Sequence, residues 1–214
     1  MTGTNPWLKS PDRGAQAEED ATPQLAVASA PVLPAWARPQ STGVSPPRDS
    51  DRLARRIVDV SAASVAMWWV GAHGGAGETT LEQLLEGSRA SGHAWPCGEL
   101  GSALTPPPVV IVARTNARGL RAAQLVAIEW ASGSVPVELH GLVLIADAPG
   151  KLPKPLKDFA QVVSGAVPRV WHLPWVEPWR QGEPVSGETT PKAIVKVLDE
   201  LRALHRIPSA VPFP

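Results

Sequence analysis

Between residues 65 and 204, short apolar runs alternate with segments in which apolar residues recur at helical spacing. The apolar runs predict strands buried on both faces, as in a parallel sheet, and they lie at 65–70, 109–113, 142–146 and 167–174. The periodic segments predict helices at 81–85, 120–131, 156–164 and 190–204. This alternation predicts an α/β fold with a doubly wound, mostly parallel sheet.

The first part of the chain has a different pattern. Residues 1–55 contain eight prolines among small and charged residues, and their large aliphatic residues are sparse and follow no period. Such a segment buries too little apolar surface to offset a backbone entropy cost of roughly 1–2 kcal/mol per residue. We therefore expect a disordered tail over 1–55, an α/β domain over 56–206 and a short proline-rich tail over 207–214. Within the domain, the stretch 88–108 is rich in glycine and proline and predicts mostly loop.

Composition and charge exclude several classes of function. Twenty basic and twenty acidic residues cancel, so the chain carries no direct signal for nucleic acid or for an anionic membrane surface. The single cysteine, Cys97, excludes an intramolecular disulfide and a multi-cysteine zinc site. The absence of tyrosine removes mechanisms that use a tyrosine acid or base. The sequence shows neither a secretory signal nor a run long enough to span a membrane, so we expect a soluble, cytoplasmic protein.

A glycine-rich loop connects the first predicted strand to the first predicted helix, and its sequence is Gly71-Ala72-His73-Gly74-Gly75-Ala76-Gly77-Glu78-Thr79-Thr80. Strand, glycine loop and helix form the layout of a phosphate-binding loop, in which backbone N–H groups face an anion. The residues predicted to contact a nucleotide here are Gly74, Gly75, Ala76, Gly77, Glu78, Thr79 and Thr80. If a nucleotide binds, Thr79 is the predicted Mg²⁺ ligand.

Glu78 stands where a phosphate-binding loop has the lysine that contacts the phosphates. Two like charges about 4 Å apart repel by roughly 4 kcal/mol at an effective dielectric constant of about 20. A carboxylate facing the phosphates would therefore oppose binding, and loss of the lysine removes stabilisation of the transferring phosphoryl group. We expect hydrolysis to be disfavoured. In the alternative orientation, the carboxylate points away from the ligand and interacts favourably with the helix dipole.

Further candidates lie at the carboxyl ends of the other predicted strands, where doubly wound sheets bind their ligands. Arg114 ends the second predicted strand and is predicted to contact a nucleotide, and Asp147 follows the third predicted strand. Positive charge to replace the lysine could come from the same edge, from Arg114, Arg118, Lys151, Lys154 and Arg180. The rim segment, from Pro174 to Arg180, contains two tryptophans. It predicts either a surface for a protein partner or self-association, or a lid packed on the sheet edge.

The loop and the later segments together resemble the partition and septum-site ATPases, the ParA/MinD-like class of P-loop proteins. That class has a Lys-Gly-Gly-x-Gly-Lys-Thr-Thr loop, and the corresponding run here is His73-Gly74-Gly75-Ala76-Gly77-Glu78-Thr79-Thr80, with both lysines replaced. Asp147 takes the place of an adenine-contacting asparagine, and Leu173-Pro174-Trp175 resembles an Ile-Pro-Tyr segment. The resemblance covers roughly residues 60–205, without an equivalent of the aspartates that position Mg²⁺ and the attacking water. The chain also resembles a Trp-rich bacterial family that shares the Gly-Ala-His-Gly-Gly-Ala-Gly-Glu loop.

The sequence therefore predicts a shortened, degenerate P-loop protein. We expect a nucleotide-binding or pseudo-NTPase module with a regulatory or partner-binding role, for example in the maintenance or transfer of a mobile element. The cofactor that the resemblance implies is ATP or ADP with Mg²⁺. One alternative is an active ATPase that takes a cation from elsewhere. Another is an NAD(P)-binding module, because Gly71-Ala72-x-Gly74-Gly75-x-Gly77 also fits the glycine fingerprint of such domains.

Overall fold

The computed structural model describes residues 43–59, 65–98 and 106–205. In chain order the strands are β1 (Ala54–Ile57), β2 (Met67–Gly71), β3 (Ser88–Ala90), β4 (Ala94–Cys97), β5 (Pro108–Arg114), β6 (Glu138–Ile145) and β7 (Val170–Leu173). The α-helices are α1 (Glu78–Leu84), α2 (Ala117–Ala131), α3 (Lys154–Ser164), α4 (Glu177–Arg180) and α5 (Lys192–His205). In this part of the chain, no helix has both the length and the apolar character needed to cross a membrane.

A five-stranded sheet with the order β3-β2-β5-β6-β7 forms the centre of the fold, and its neighbouring strands are all parallel. Alternate residues of each strand face opposite sides of the sheet. In β5, Val109 and Ile111 pack with α2 and α3, whereas Val110 and Val112 pack with α1 and α5. Helices thus cover both faces, which explains why the strand sequences are almost continuously apolar. The predicted α/β fold with a doubly wound parallel sheet is confirmed.

The direction of winding reverses at β2. The chain passes from β2 through α1 to β3 on one side, and it later enters β5 on the other side of β2. In open parallel sheets such a reversal leaves a crevice beyond the carboxyl ends of the two central strands, and ligands bind there. In this fold the crevice lies between the loop after β2 and the short loop between β5 and α2.

A second, two-stranded sheet pairs β1 with β4 in parallel. It is attached to the main domain through Glu129 of α2, which is only 1% exposed. Oε2 of this carboxylate accepts hydrogen bonds from Leu53 N at 3.1 Å and from Trp95 Nε1 at 2.9 Å. Nη2 of Arg55 lies 4.0 Å from Oε1. A buried carboxylate therefore holds the segment before β1 against α2.

The structure corrects the sequence prediction in two regions. Residues 43–55, predicted to belong to the disordered tail, contain a 3-10 turn at Asp49–Asp51 and the start of β1. The stretch 88–108, predicted as mostly loop, contains β3, β4 and the first residue of β5. β1 is exposed along its whole length, so its order comes from pairing with β4 and not from an apolar pattern of its own. Residues 1–42 and the predicted tail 207–214 lie outside the described residues.

The remaining predicted elements are present with shifted ends. β6 begins at Glu138, before the predicted start at residue 142, and β7 is shorter than the predicted strand 167–174. The rim segment includes the short helix α4, and the last helix is confirmed as α5. These shifts leave the order of strands and helices unchanged.

Candidate functional site

The glycine loop, residues 71–80, turns sharply from β2 into α1. Gly77 has a φ angle of 107°, a conformation that residues with a side chain rarely adopt. Ala76 N donates to His73 O at 3.2 Å, which closes a tight turn. A Cβ atom at Gly77 would lie 2.8 Å from Cδ1 of Ile145, so the end of that side chain would have to move. The backbone angle is therefore the main reason for glycine at this position.

The side chain of Glu78 folds back toward β2. Its Oε2 accepts a hydrogen bond from Gly71 N at 2.7 Å, and its Oε1 accepts one from His93 N at 3.2 Å. Nδ1 of His93 in turn lies 2.6 Å from Gly71 O and donates to that oxygen, which can only accept. The carboxylate is thus held between the end of β2 and the loop that joins β3 to β4.

The length of β3 explains this arrangement. β3 ends at Ala90, which is opposite Trp69, so β3 supplies no backbone partner at Gly71. On its other side, Gly71 remains in register with β5. A strand residue with unpaired N–H and C=O groups is unfavourable unless other groups satisfy them. The carboxylate of Glu78 and the imidazole of His93 provide the acceptor and the donor that a longer β3 would provide.

His73 connects the glycine loop to β5. Its Nε2 accepts a hydrogen bond from Arg114 N at 3.1 Å. Its Nδ1 lies 3.0 Å from Gly74 O, which can only accept, so the ring carries its proton on Nδ1. The two loops come this close because Gly119 has no side chain. A Cβ atom there would lie 2.3 Å from Arg114 O and 2.9 Å from His73 Nε2.

A cleft of about 460 Å³ opens at the crevice between these loops. Three arginines from separate segments line it: Arg114 at the end of β5, Arg118 in the first turn of α2 and Arg180 in α4. Gly74 and Gly75 of the glycine loop form part of its wall. We call it the arginine cleft.

The arginine cleft carries an excess of positive charge. Asp147 is the one acidic side chain among the described residues that line it. The pKa of the Arg114 guanidinium is lowered overall. Burial is the main cause and the charge of Arg180 acts in the same direction, whereas the charge of Asp147 partly opposes them. Within the described part of the chain, Arg118 and Arg180 have no side-chain hydrogen bond or ion pair. Their guanidinium groups are free to form the paired N–H···O bonds that phosphates and carboxylates accept.

A smaller cleft of about 150 Å³ adjoins the arginine cleft. The two clefts share Arg114, Trp175 and Arg180. The remaining lining of the smaller cleft is largely apolar and consists of Gly77, Thr80, Leu81, Ile145, Pro174, Val176 and Trp179. The charged cleft therefore continues into a recess of mixed polar and apolar character beside the N-terminus of α1.

The rim segment borders both clefts, and hydrogen bonds fix its two indole rings. Trp179 Nε1 donates to Thr189 Oγ1 at 3.1 Å, and Trp175 Nε1 donates to Glu177 Oε2 at 2.5 Å. The bond from Trp175 lowers the pKa of the exposed Glu177, and a second side-chain hydrogen bond lowers it further. The ring of Trp179 packs against the core between the sheet and the α1–α5 face. At least this tryptophan packs onto the domain, as expected for the lid.

The structure brings most of the predicted nucleotide contacts to one edge. The arginine cleft is lined by the predicted residues Gly74, Gly75, Arg114 and Asp147. The smaller cleft is lined by the predicted residues Gly77, Thr80 and, again, Arg114. Ala76 is buried in the core at 1% exposure, whereas Thr79 is exposed and is not among the residues lining either cleft.

Two of the five candidate cations lie elsewhere. Lys151 lines another hollow, which shares Asn116 and Asp147 with the arginine cleft, but it does not line the arginine cleft itself. Lys154 forms an ion pair with Asp158 one turn along α3, at 2.8 Å. The charge available to the arginine cleft therefore comes from arginines.

Three residues of the site are not among the predicted nucleotide contacts, namely His73, His93 and Asn116. Asn116 is the N-cap of α2, accepts a hydrogen bond from Gly119 N at 2.7 Å and lines the arginine cleft. An asparagine directly before a helical segment is an N-cap signal and would have placed it. The two histidines act through contacts with distant backbone groups, which no local pattern indicates.

The described residues do not fit the Mg²⁺ site of a P-loop NTPase. Mg²⁺ in phosphate sites is bound through one or two carboxylates together with the phosphates. In the arginine cleft the available carboxylate is Asp147, which faces Arg114, and the hydroxyl of Thr79 lies outside the cleft. Over the described parts of the chain, no group of three or more His, Cys, Asp or Glu side chains is placed to hold a metal ion.

A family model matches residues 65–198, which is more than half of the chain. The protein belongs to DUF6668. This is described as a family of unknown function. The DUF6668 region begins just before β2 and ends within α5, so it contains both clefts, whereas β1 precedes it. Comparisons with curated proteins and with solved structures give no match.

Proposed function

We propose that the protein binds a phosphorylated small molecule, a nucleotide such as ATP or ADP, in the arginine cleft and does not hydrolyse it efficiently. Its role is that of a regulatory or partner-binding module. The observation that carries the proposal is the convergence of Arg114, Arg118 and Arg180 with the glycine loop at the reversal of winding. Arginine is the side chain best suited to planar, paired recognition of phosphate oxygens.

The position and size of the cleft support the same proposal. Ligands of open parallel sheets bind at the reversal of winding, beyond the carboxyl ends of the strands. The cleft volume of about 460 Å³ falls within the range of small-molecule sites, about 300–1,000 Å³. In the adjoining recess, Trp175 and Trp179 offer aromatic surface to a non-phosphate part of the ligand.

The contacts of Glu78 and His73 support a pseudo-NTPase. Glu78, at the position of the phosphate-contacting lysine, is occupied with two backbone N–H groups. His73, at the position of the other lysine, accepts a hydrogen bond from Arg114 N. Neither position supplies a cation to a transferring phosphoryl group, and such charge stabilisation provides most of the catalysis in phosphoryl transfer.

The NAD(P)-binding alternative has less support. In that fold the strand after the first helix lies beside the first strand and ends in an acidic residue that holds the ribose. β3 has this position, and Ala90 at its end is followed by Ser91, Gly92 and His93. Arg114 could bind a 2′-phosphate, but it ends β5, which lies on the opposite side of β2 from β3.

Binding of a protein partner through the rim segment, or self-association there, stays a prediction. So do the cytoplasmic location, the role in a mobile element and the relation to ParA/MinD-like ATPases. Sedimentation of the full chain with and without ATP would test self-association, and a nucleotide-dependent change in mass would support the active ATPase.

The proposal is tested by calorimetry and thermal shift on the full chain with ATP, ADP, GTP and NADP. Ligand present at 100 times its Kd stabilises a folded protein by about 2.7 kcal/mol, so we expect the Tm to rise by about 5–10 °C. The double variant Arg118→Ala/Arg180→Ala should lose this shift. Arg121→Ala is the matched control, because Arg121 is also an exposed arginine of α2 but bonds to Gln124 and does not line the cleft.

A phosphate-release assay tests the second half of the proposal. We expect no turnover of ATP above the background. Rapid hydrolysis that disappears in Glu78→Ala would contradict the pseudo-NTPase. If no nucleotide changes the Tm or releases heat, the proposed function is wrong.

A further inference from the structure

The arginine cleft raises the question of how the phosphate charge is neutralised. A P-loop NTPase uses a lysine together with Mg²⁺, which bridges the phosphates and is held by the loop hydroxyl and a carboxylate. Here Glu78 is bound to Gly71 N and His93 N, and Thr79 lies outside both clefts. The loop therefore supplies neither a lysine nor a Mg²⁺-binding hydroxyl to the cleft.

The remaining candidate for a Mg²⁺ ligand is Asp147, and its surroundings are unfavourable. It lines the arginine cleft beside Arg114, and its negative charge offsets part of the larger lowering of the guanidinium pKa by burial. Arg180 lies close enough to Arg114 to act on it as well. A divalent cation at this carboxylate would approach two guanidinium groups, and like charges at short range repel.

The arginine cleft does suit a phosphate group to which no metal ion is bound. Arg118 and Arg180 have no side-chain hydrogen bond or ion pair within the described residues, so their N–H groups need not leave a protein partner to bind a ligand. They enter the cleft from α2 and α4, on segments separate from the one that ends at Arg114. Among the lining side chains, three arginines against one aspartate leave a net positive cleft without any ion, and Glu177, which interacts electrostatically with Arg180, lies outside the lining.

We infer that the arginine cleft binds the di- or triphosphate group of its ligand directly, without a divalent cation, and that Mg²⁺ competes with the arginines for the phosphate oxygens. This inference rests on the proposed function and makes it more specific, because it gives the ionic form of the ligand. Arg118 and Arg180 are ligand-binding residues that take over the charge neutralisation of both the loop lysine and the metal.

The consequence is an inverted dependence on Mg²⁺. A P-loop NTPase binds the Mg²⁺ complex of its nucleotide, since the ion is part of the site. In the arginine cleft, Mg²⁺ would lower the negative charge of the ligand and occupy oxygens that the guanidinium groups use. Free ATP should therefore bind about two- to fivefold more tightly in EDTA than with excess Mg²⁺, the change expected from weakening one exposed charged contact.

The experiment is calorimetric titration of the full chain with ATP in EDTA and in excess Mg²⁺ at the same ionic strength. Sodium pyrophosphate, which has no base, is titrated as a second probe. In EDTA, Arg118→Ala and Arg180→Ala should each weaken ATP binding by about tenfold, and Arg121→Ala should leave it unchanged. Urea denaturation of each variant checks that the fold is intact.

Tighter binding of both probes in EDTA, together with loss of affinity in the two variants, supports the inference. Binding that requires Mg²⁺ overturns the inference but leaves the proposed function standing. Binding in EDTA that neither variant weakens overturns the assignment to these arginines. Absence of binding to ATP and pyrophosphate in both buffers overturns the proposed function itself, and the inference with it.

Discussion

Introducing a lysine at position 78, where a phosphate-binding loop has one, should destabilise this protein. In a P-loop protein that has lost its lysine by simple drift, Glu78→Lys would improve phosphate binding. Here the carboxylate of Glu78 is an acceptor for Gly71 N at 2.7 Å and His93 N at 3.2 Å. A lysine ammonium can only donate, so it cannot satisfy either N–H group. We therefore expect Glu78→Lys to lower the stability without restoring hydrolysis.

The magnitude follows from these two contacts. Hydrogen bonds to charged groups contribute about 1.5–3 kcal/mol each, and we take the lower end because Glu78 is only partly buried. Exchange of an acid for a base in the first turn of a helix adds about 0.5–1 kcal/mol through the helix dipole. The free energy of unfolding should fall by about 3–4 kcal/mol in Glu78→Lys. In Glu78→Gln, which keeps one acceptor oxygen for Gly71 N, it should fall by about 1.5–2 kcal/mol.

Urea denaturation followed by far-UV circular dichroism measures the change, and a phosphate-release assay with ATP measures any gain of hydrolysis. Glu82→Lys is the matched control, since it makes the same exchange of charge on the same helix. Glu82 forms an ion pair with Arg89 at 3.3 Å, and the Arg89 side chain is 64% exposed. Loss of such a pair should cost less than about 1 kcal/mol.

Two results would refute this reasoning. If Glu78→Lys and Glu82→Lys have equal stability, the carboxylate of Glu78 does not hold the end of β2. If Glu78→Lys gains hydrolysis of ATP, the loop retains the rest of a catalytic site and the protein is a P-loop enzyme that lacks only its lysine.

Two further substitutions test the packing around the site. Gly119→Ala would place a Cβ 2.3 Å from Arg114 O, so it should cost about 1–3 kcal/mol in urea denaturation and weaken ATP binding in calorimetry. In Gly165→Ala, the control, the nearest atom is 3.5 Å away and the change should stay within about 0.5 kcal/mol; equal effects would contradict the steric argument. Glu129→Ala removes the acceptor of two N–H donors and should cost about 2–4 kcal/mol, with faster amide hydrogen exchange in residues 53–57. Glu86→Ala, at an exposed position, should change the stability by less than about 0.5 kcal/mol, and a Glu129→Ala variant as stable as this control would show that the buried carboxylate is dispensable.

The central sheet could be predicted because its strands are buried on both faces. β5 and β6 read as continuous apolar runs, and the helices between them show an apolar stripe, so the local pattern and the final packing agree. β1 and β3 could not be predicted in this way. β3 has three residues, and β1 is exposed throughout and ordered by pairing with β4 and by the buried Glu129. Contacts between residues so far apart in the chain leave no local pattern.

The candidate site divides in the same way. The positions of the glycine loop and Arg114 could be predicted, because the apolar runs show where β2 and β5 end. The direction of the Glu78 side chain could not be predicted, since it depends on where β3 stops. Selection of Arg118 and Arg180 from the five candidate cations depended on the packing of α2 and α4 around the crevice.

The glutamate at position 78 and the shortness of β3 belong together. Because β3 stops at Ala90, the end of β2 needs an acceptor, and Glu78, the first residue of α1, supplies it. A lysine there would leave Gly71 N unsatisfied, so the glutamate stabilises the end of β2. Positive charge for a ligand must then come from the other side of the crevice. Arg114, Arg118 and Arg180 are located there, and this is why we place the binding function in the arginine cleft and not at the N-terminus of α1.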